Sequence, residues 1–328
     1  VGLHTAVPFA EELFVSGGSW SPNSDHRVWF ASSLNAPGLR IVTRKPAARS
    51  TNPFIAPLSS RFDELDAQVW LEDVLVPWEK VFAIRFEPTT SPVDVRRREG
   101  LASWLLWHQQ VGWLARAEFT LGLALAITHA MELKGIQGVV DNLVNLVIDC
   151  QTIRSCVTAA ELDPEVTQAG YLLPRPLHLA PATIYTLRSR QRIAETLRNL
   201  AGQAGVLSPA DVDFADEGLA AGLEESFGGG GYSATQRAAL LQLAWDHVSS
   251  GLDGREAAFE THANGGIPAW RIRIQRWFDR YNELANGVLG AIAMEMPAID
   301  LDSLRDVMPR PRPAQASPPP APSAPTTS

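Results

Sequence analysis

The sequence predicts an α+β fold in which a small β-barrel or sandwich is followed by a bundle of long helices. Short apolar runs separated by turn residues fill the chain before Pro92, which is typical of a small β-domain. After Pro92, apolar residues recur with the period of an α-helix over long segments. We therefore predict a β-domain at residues 1–92, a helical bundle at 93–306 and a disordered tail at 307–328.

The strands of the β-domain are predicted from runs of apolar and β-branched residues bounded by Gly, Pro, Asn and Ser. These runs are Glu12–Val15, Arg27–Ala31 and Leu39–Thr43. A further strand is predicted within the mixed stretch from Val69 to Val76, which a turn at Pro77 closes. Strand-like sequence begins at once, with no helical segment before it, so we expect the chain to be a piece of a longer protein.

The helices are predicted from apolar periodicity and from the residues that interrupt it. The first begins near Leu101 and has so broad an apolar face that we expect it to be largely buried. Gly202 and Gly205 are predicted to end the third helix as C-terminal glycines. After Met308 the chain is mostly Pro, Ala, Ser and Thr, which cannot bury enough apolar surface to offset the entropy of ordering. The later helices are predicted at about 137–160, 178–198, 235–250 and 272–292.

Composition argues against several classes of protein. A net charge of −8 without a basic stripe disfavours nucleic-acid binding. Cys150 and Cys156 are too few for a disulfide framework or a thiolate metal site, so a reducing compartment is expected. The most apolar stretch, Leu101–Ile127, is broken by polar and charged residues, which disfavours a membrane span. With no signal-peptide pattern at its start, the chain is expected to be cytoplasmic.

The most specific pattern in the sequence is the stretch from Pro57 to Glu79. Four charged residues stand directly before its predicted strand: Arg61, Asp63, Glu64 and Asp66. Alone they would indicate no more than a solvated turn. Together with Asp73-Val-Leu-Val-Pro-Trp-Glu79, however, they resemble the signature of the 4-hydroxyphenylacetate 3-hydroxylase oxygenase components, flavoenzymes on the acyl-CoA dehydrogenase fold. The resemblance continues along nearly the whole chain before the tail.

The resemblance implies the oxygenase component of a two-component monooxygenase that hydroxylates a phenol ortho to its hydroxyl group. A separate flavin reductase would supply FAD as FADH2, O2 would be the co-substrate, and a C4a-hydroperoxyflavin would carry the oxygen. No metal is required, and the flavin would lie between the subunits of a homodimer or homotetramer. The helical N-terminal domain that holds the phenol in this family has no counterpart in the sequence. The identity of the phenol, which in relatives can be carrier-bound, is left open.

Two alternatives also stay open. An acyl-CoA dehydrogenase-like flavin oxidoreductase would need a carboxylate base, for which Glu224, Glu225 and Glu260 are indistinguishable in the sequence. A truncated homologue could instead act only in flavin binding or oligomerisation.

The resemblance also implies roles for individual residues. Thr5 would contact the isoalloxazine ring, and Arg116 would reach the FAD pyrophosphate of a neighbouring subunit, because a guanidinium suits phosphate oxygens. An ion pair of Arg116 with Glu118 or with another helix is an equally good interpretation. The remaining FAD contacts would be Ser249, Ser250, Gly251, Leu252 and Arg255, and the substrate lid would include Ser16, Gly17 and Gly18.

Overall fold

The computed structural model describes residues 2–4, 9–17, 28–84, 92–167, 170–262, 266–292 and 294–306. The chain divides into two compact units, Val1–Trp270 and Arg271–Ser328. The predicted boundary at residue 92 lies inside the first unit, and the predicted tail at 307–328 lies outside the described residues. The three-part division therefore stays a prediction.

The first part of the chain forms two three-stranded antiparallel sheets, in the orders β1-β5-β4 and β2-β3-β6. Their strands are β1 (Gly2–His4), β2 (Glu12–Gly17), β3 (Val28–Ser33), β4 (Leu39–Thr43), β5 (Ala67–Leu71) and β6 (Val81–Ile84). The three predicted strands are confirmed with small shifts of their ends. A cluster around Leu13, Ala67 and Val69 is buried between residues of both sheets.

The stretch from Pro57 to Glu79 folds differently from its prediction at both ends. In its charged first half the short helix α1 (Ser59–Phe62) contains Arg61, and Asp63, Glu64 and Asp66 follow the helix. The predicted strand ends at Leu71, because the chain turns at Asp73, whose φ of 52° is left-handed. This turn packs against Gly38, whose φ is 85° and where a Cβ atom would lie 2.0 Å from the Glu72 carbonyl oxygen. Only glycine therefore fits the turn before β4.

The helical part of the first unit packs around residues of four helices. Leu123 and Ile127 contribute from α2, Leu197 from α4 and Ala244 from α7, with Leu146 of α3 beside them. The helices are α2 (Pro92–Ala130), α3 (Gln137–Leu162), α4 (Pro176–Val206), α5 (Asp211–Ala215), α6 (Glu217–Phe227), α7 (Ala234–Val248) and α8 (Gly251–His262). A further helix, α9 (Gly266–Trp277), begins in the first unit and continues into the second. A two-stranded hairpin, β7 (Glu165–Val166) with β8 (Leu172–Leu173), joins α3 to α4.

The prediction that the first long helix is largely buried is wrong in part. α2 packs its buried side against α3, α4 and α7, while its other side leaves large apolar residues in solvent. These exposed residues are Trp104, Leu105, Val111, Phe119 and Leu125. By length and composition alone, residues Ser103–Ala130 could span a membrane, with a mean hydropathy of 1.3. This is weak evidence, because core helices share both properties, and the absence of a membrane span stays a prediction.

Two other helix predictions are corrected. Gly202 has non-helical φ and ψ, 57° and −150°, and separates two helical segments at a kink, beyond which α4 continues to Val206. The predicted final helix at 272–292 is interrupted, since α9 ends at Trp277 and α10 spans Tyr281–Leu289. In the second unit the Asn286 side chain bonds to both backbone groups of Ile299, at 2.8 and 2.9 Å. The short helix α11 spans Ser303–Asp306.

Candidate cofactor site

The connection between α7 and α8 presents small polar residues at the start of a helix. The Ser250 hydroxyl donates to the Asp246 carbonyl at 2.6 Å and accepts from the Leu252 amide at 3.1 Å. The Ser249 hydroxyl oxygen is buried and has no hydrogen-bond partner within the described parts of the chain. At Gly251 a Cβ atom would lie 3.0 Å from the Ala47 carbonyl oxygen, so glycine permits this close approach. The α8 N-terminus offers backbone amides and a partial positive charge to an anion.

Asp246 joins this connection to the start of α1. Its Oδ2 atom accepts hydrogen bonds from the backbone amides of Leu58 at 2.8 Å and Ser59 at 2.7 Å. The side chain is buried, with 3% of the residue exposed. A helix leaves its first amides without partners inside the helix, and Leu58 provides no side-chain cap for α1. Asp246 therefore caps α1 from a distant part of the chain.

A second connection involves the charged residues of the 57–79 stretch. The Arg44 guanidinium donates to Asp66 at 2.9 Å and pairs with Asp63, which also accepts from the Ala47 amide at 2.6 Å. Arg255 of α8 lies 3.5 Å from Asp66 and 3.8 Å from Asp63. Burial by itself would raise the pKa of Asp63, but the Arg44 and Ala47 hydrogen bonds and both guanidinium charges hold that pKa below its usual value.

A further ion-pair group links α2, α4 and α8. Arg116 pairs with Glu256 and Glu260, and Arg190 pairs with Glu260 and, at 2.8 Å, with Asp253. Each of these five side chains is at most 27% exposed. Glu260 occupies the centre, because its two oxygens bind different arginines. We call these five residues the α8 ion cluster.

His247 is a buried neutral histidine beside this cluster. Its Nε2 atom lies 2.7 Å from the Thr120 hydroxyl oxygen, and that hydroxyl donates its only proton to the Arg116 carbonyl at 2.8 Å. Nε2 must therefore carry a hydrogen and donate to Thr120. Burial, followed by the charges of Arg116 and Arg190, lowers the pKa of His247 to about 3. The imidazole thus stays neutral at physiological pH.

A cavity of about 40 Å³ lies between Thr120, Thr186, Ile193 and His247. It has room for a few water molecules, since one needs roughly 10–15 Å³ by this measure. The Thr186 hydroxyl is buried there without a hydrogen-bond partner among the described residues, which suits an internal water. This space is far too small for a flavin, so the candidate cofactor site is the α7–α8 connection rather than the cavity.

The structure brings together some of the predicted site residues and separates others. Arg255 pairs with Asp66 of the 57–66 stretch, Gly251 packs against Ala47, and Arg116 belongs to the α8 ion cluster. The interhelix ion pair predicted as an alternative for Arg116 is therefore present, whereas Glu118 pairs with Arg154. The lid residues Ser16 and Gly17 end β2. Thr5 and Gly18 lie outside the described residues, and the roles of all these residues stay predictions.

Sequence reasoning missed the residues that hold these segments together. Asp246 and His247 stand between the buried residues Ala244 and Val248, and ionisable residues are seldom buried in a core without a specific partner. Their position in the sequence is therefore a local sign that Asp246 and His247 each have a specific partner. Nothing local in the sequence indicates that the partner of Asp246 is the backbone near Ser59, 187 residues away.

The three carboxylates considered as a base are placed differently. Glu260 uses both oxygens in the α8 ion cluster, and Glu224 accepts from the Ala234 amide at 2.9 Å. Glu225 is exposed. None of the three is an unpaired carboxylate in the cavity, so these positions give no support to a dehydrogenase base.

Comparison with known proteins places the chain in a family. Residues 2–83 match the family described as 4-hydroxyphenylacetate 3-hydroxylase N terminal, and residues 97–289 match its C-terminal counterpart. The oxygenase component of 4-nitrophenol 4-monooxygenase/4-nitrocatechol 2-monooxygenase from Rhodococcus opacus is 29% identical over 83% of this chain and 51% of the relative. The 4-hydroxyphenylacetate 3-monooxygenase oxygenase component of Thermus thermophilus is 30% identical over 79% of this chain and 53% of the relative. The chain thus spans about half the length of these relatives.

A solved structure shows the same similarity in three dimensions. The oxygenase component of 4-hydroxyphenylacetate 3-monooxygenase, crystallised with FAD and 4-hydroxyphenylacetate, superposes with a TM-score of 0.80. The match covers 88% of this chain and 61% of that one, at 25% sequence identity. The two family matches and this shared fold agree, and the chain belongs to the 4-hydroxyphenylacetate 3-hydroxylase family.

Proposed function

We propose that this chain is part of the oxygenase component of a two-component monooxygenase that uses FADH2 and O2 to hydroxylate a phenol. One observation carries the proposal: the 57–66 stretch, which belongs to the family signature, meets the α7–α8 region, to which the resemblance assigns FAD contacts, through Leu58, Ser59 and Asp66. A separate flavin reductase would be the partner that supplies FADH2.

The α7–α8 connection is suited to hold FAD. The buried Ser249 hydroxyl lacks a partner among the described residues and could bond to the cofactor, while the first amides of α8 suit a phosphate. Arg116 and Arg255 already have carboxylate partners, so a pyrophosphate would have to share either guanidinium with them. The Leu252 amide likewise already donates to the Ser250 hydroxyl, so we assign the main contacts to Ser249 and to the backbone at Gly251.

The oxygen-transfer chemistry belongs to the reduced flavin when bound, by way of a C4a-hydroperoxide, and we place the new oxygen ortho to the phenolic hydroxyl. The chain's own contribution is to hold the flavin and to limit access of water to it. A phenol is supported as substrate class by the relatives, whose names include 4-nitrophenol and 4-hydroxyphenylacetate monooxygenases.

The test is to titrate the chain with reduced FAD under anaerobic conditions, and then to admit O2 with 4-hydroxyphenylacetate and identify products by mass spectrometry. We expect saturable binding of FADH2. Replacement of Ser249 by Ala should weaken it about three- to tenfold, the usual effect of one lost hydrogen bond. Ser226→Ala is the matched control, since that hydroxyl bonds only within exposed α6, to Gly222 and Leu223.

The outcomes separate the proposal from its alternatives. Binding with formation of a dihydroxylated product supports the monooxygenase. Binding without product shows that the chain holds the flavin but not the phenol, and a folded chain that does not bind FADH2 contradicts the proposal.

We also propose that the chain associates with a second copy of itself through the exposed apolar side of α2 and α3. α3 adds Val140, Val144, Val147 and Ile148 to the exposed residues of α2, and so much apolar surface is unusual on a monomer. Light scattering at micromolar concentration should show a dimer or tetramer. Replacement of Phe119 and Ile148 by Lys should yield a monomer, and a wild-type monomer would contradict the proposal.

A further inference from the structure

We propose that Asp246 is a positioning residue that holds the 57–66 stretch against the α7–α8 connection, so that both segments face the flavin together. The inference rests on the proposed function, because flavin is the ligand whose binding it concerns.

Asp246 contacts both segments at once. Its side chain accepts from the amides of Leu58 and Ser59, at 2.8 and 2.7 Å. Its backbone carbonyl accepts from the Ser250 hydroxyl at 2.6 Å, and that hydroxyl accepts from the Leu252 amide at 3.1 Å. A continuous series of hydrogen bonds thus runs from α1 through Asp246 to the first turn of α8.

α1 depends on this carboxylate more than a longer helix would. It spans only Ser59–Phe62, and its own N-cap position, Leu58, makes no side-chain hydrogen bond. Isolated helices of this length are not stable in water, so tertiary contacts must fix their place. Bonds from amides to a carboxylate are roughly twice as strong as neutral hydrogen bonds, and here they are shielded from water.

Two further contacts support the same alignment. Arg255 lies 3.5 Å from Asp66, and the Gly251 backbone packs closely against the Ala47 carbonyl. These contacts lie on α8, beyond Asp246, so the 44–66 region is held at several points along the α7–α8 connection. Among the residues that make these contacts, Asp246 is the buried one, and its side chain bonds to the backbone of α1.

The experiment compares three variants of the 328-residue chain. Asp246→Ala removes the acceptor, whereas Asp246→Asn keeps an acceptor oxygen without the charge and is the variant less liable to misfold. Asp216→Ala is the matched control, because it removes the Asp side chain that caps α6 through the Gly218 amide at 2.8 Å. Each variant is examined by hydrogen exchange of the backbone amides at 58–62 and by anaerobic titration with reduced FAD.

We expect Asp246→Ala to speed exchange at 58–62 and to raise the Kd for reduced FAD about tenfold or more. Asp246→Asn should raise the Kd about threefold, and Asp216→Ala should change neither quantity. Faster exchange with an unchanged Kd, in either Asp246 variant, would overturn the inference and leave Asp246 a purely structural residue. Failure of the wild-type chain itself to bind reduced FAD would instead refute the proposed function, and the inference with it.

Discussion

Replacement of His247 by Gln is expected to flatten the dependence of the folding free energy on pH between about 6.5 and 3. In the folded chain the pKa of His247 is lowered from 6.5 to about 3. The unfolded chain therefore binds one more proton than the folded chain throughout this interval, and stability falls as the pH falls. The loss is about 1.4 kcal/mol per pH unit, or roughly 3 kcal/mol between pH 6.5 and 4.

Urea unfolding at several pH values between 7 and 4 would measure this effect. At pH 7 the Gln variant should be less stable by about 1–3 kcal/mol, since it loses packing and changes the bond to Thr120. The two stability curves should then approach each other as the pH falls. His108→Gln removes an exposed imidazole from α2 and serves as the control. A His247→Gln curve parallel to that of the wild type would show that His247 is not the buried neutral group described above.

Replacement of Glu260 by Gln is expected to destabilise the chain by about 3 kcal/mol, because Arg116 and Arg190 each lose a carboxylate partner in a largely buried setting. Glu256 and Asp253 remain as partners and limit the loss. The free energy of unfolding in urea at neutral pH is the measurement.

Glu118→Gln is the matched control for this change. Glu118 also pairs with an arginine, Arg154, but its side chain is 45% exposed and that of Arg154 is 50% exposed. Exposed ion pairs contribute at most about 1 kcal/mol, so the control should unfold close to the wild type. Equal losses in the two variants would contradict the buried character of the α8 ion cluster.

The sequence was most informative where a local pattern decides the structure. Leu39–Thr43 alternates and is bounded by turn residues, and it forms β4 with those ends. The second long helix was expected at about 137–160 and spans Gln137–Leu162. Gly202 shows the limit of local rules, because a left-handed glycine can kink a helix as well as end one, and tertiary packing decides between the two.

The candidate site can be predicted from the sequence only in part, because tertiary contacts rather than local patterns bring its residues together. The resemblance names Arg255 and the 57–66 stretch separately, and no local rule indicates that Arg255 pairs with Asp66. The bond between Asp246 and Ser59 spans 187 residues of sequence, and the cluster around Glu260 joins three helices. The exposure of α2 was missed because its apolar pattern does not distinguish burial within one chain from an unpartnered surface.

The capping of α1 by Asp246 has a consequence for how this chain can be divided or recombined. The acceptor lies on α7, whereas the amides that it binds lie before residue 92. A β-part excised at that boundary would lose the group that orients its shortest helix. The two halves are therefore not independent modules, and a hybrid that keeps this β-part would need a helical part with an acceptor in the place of Asp246.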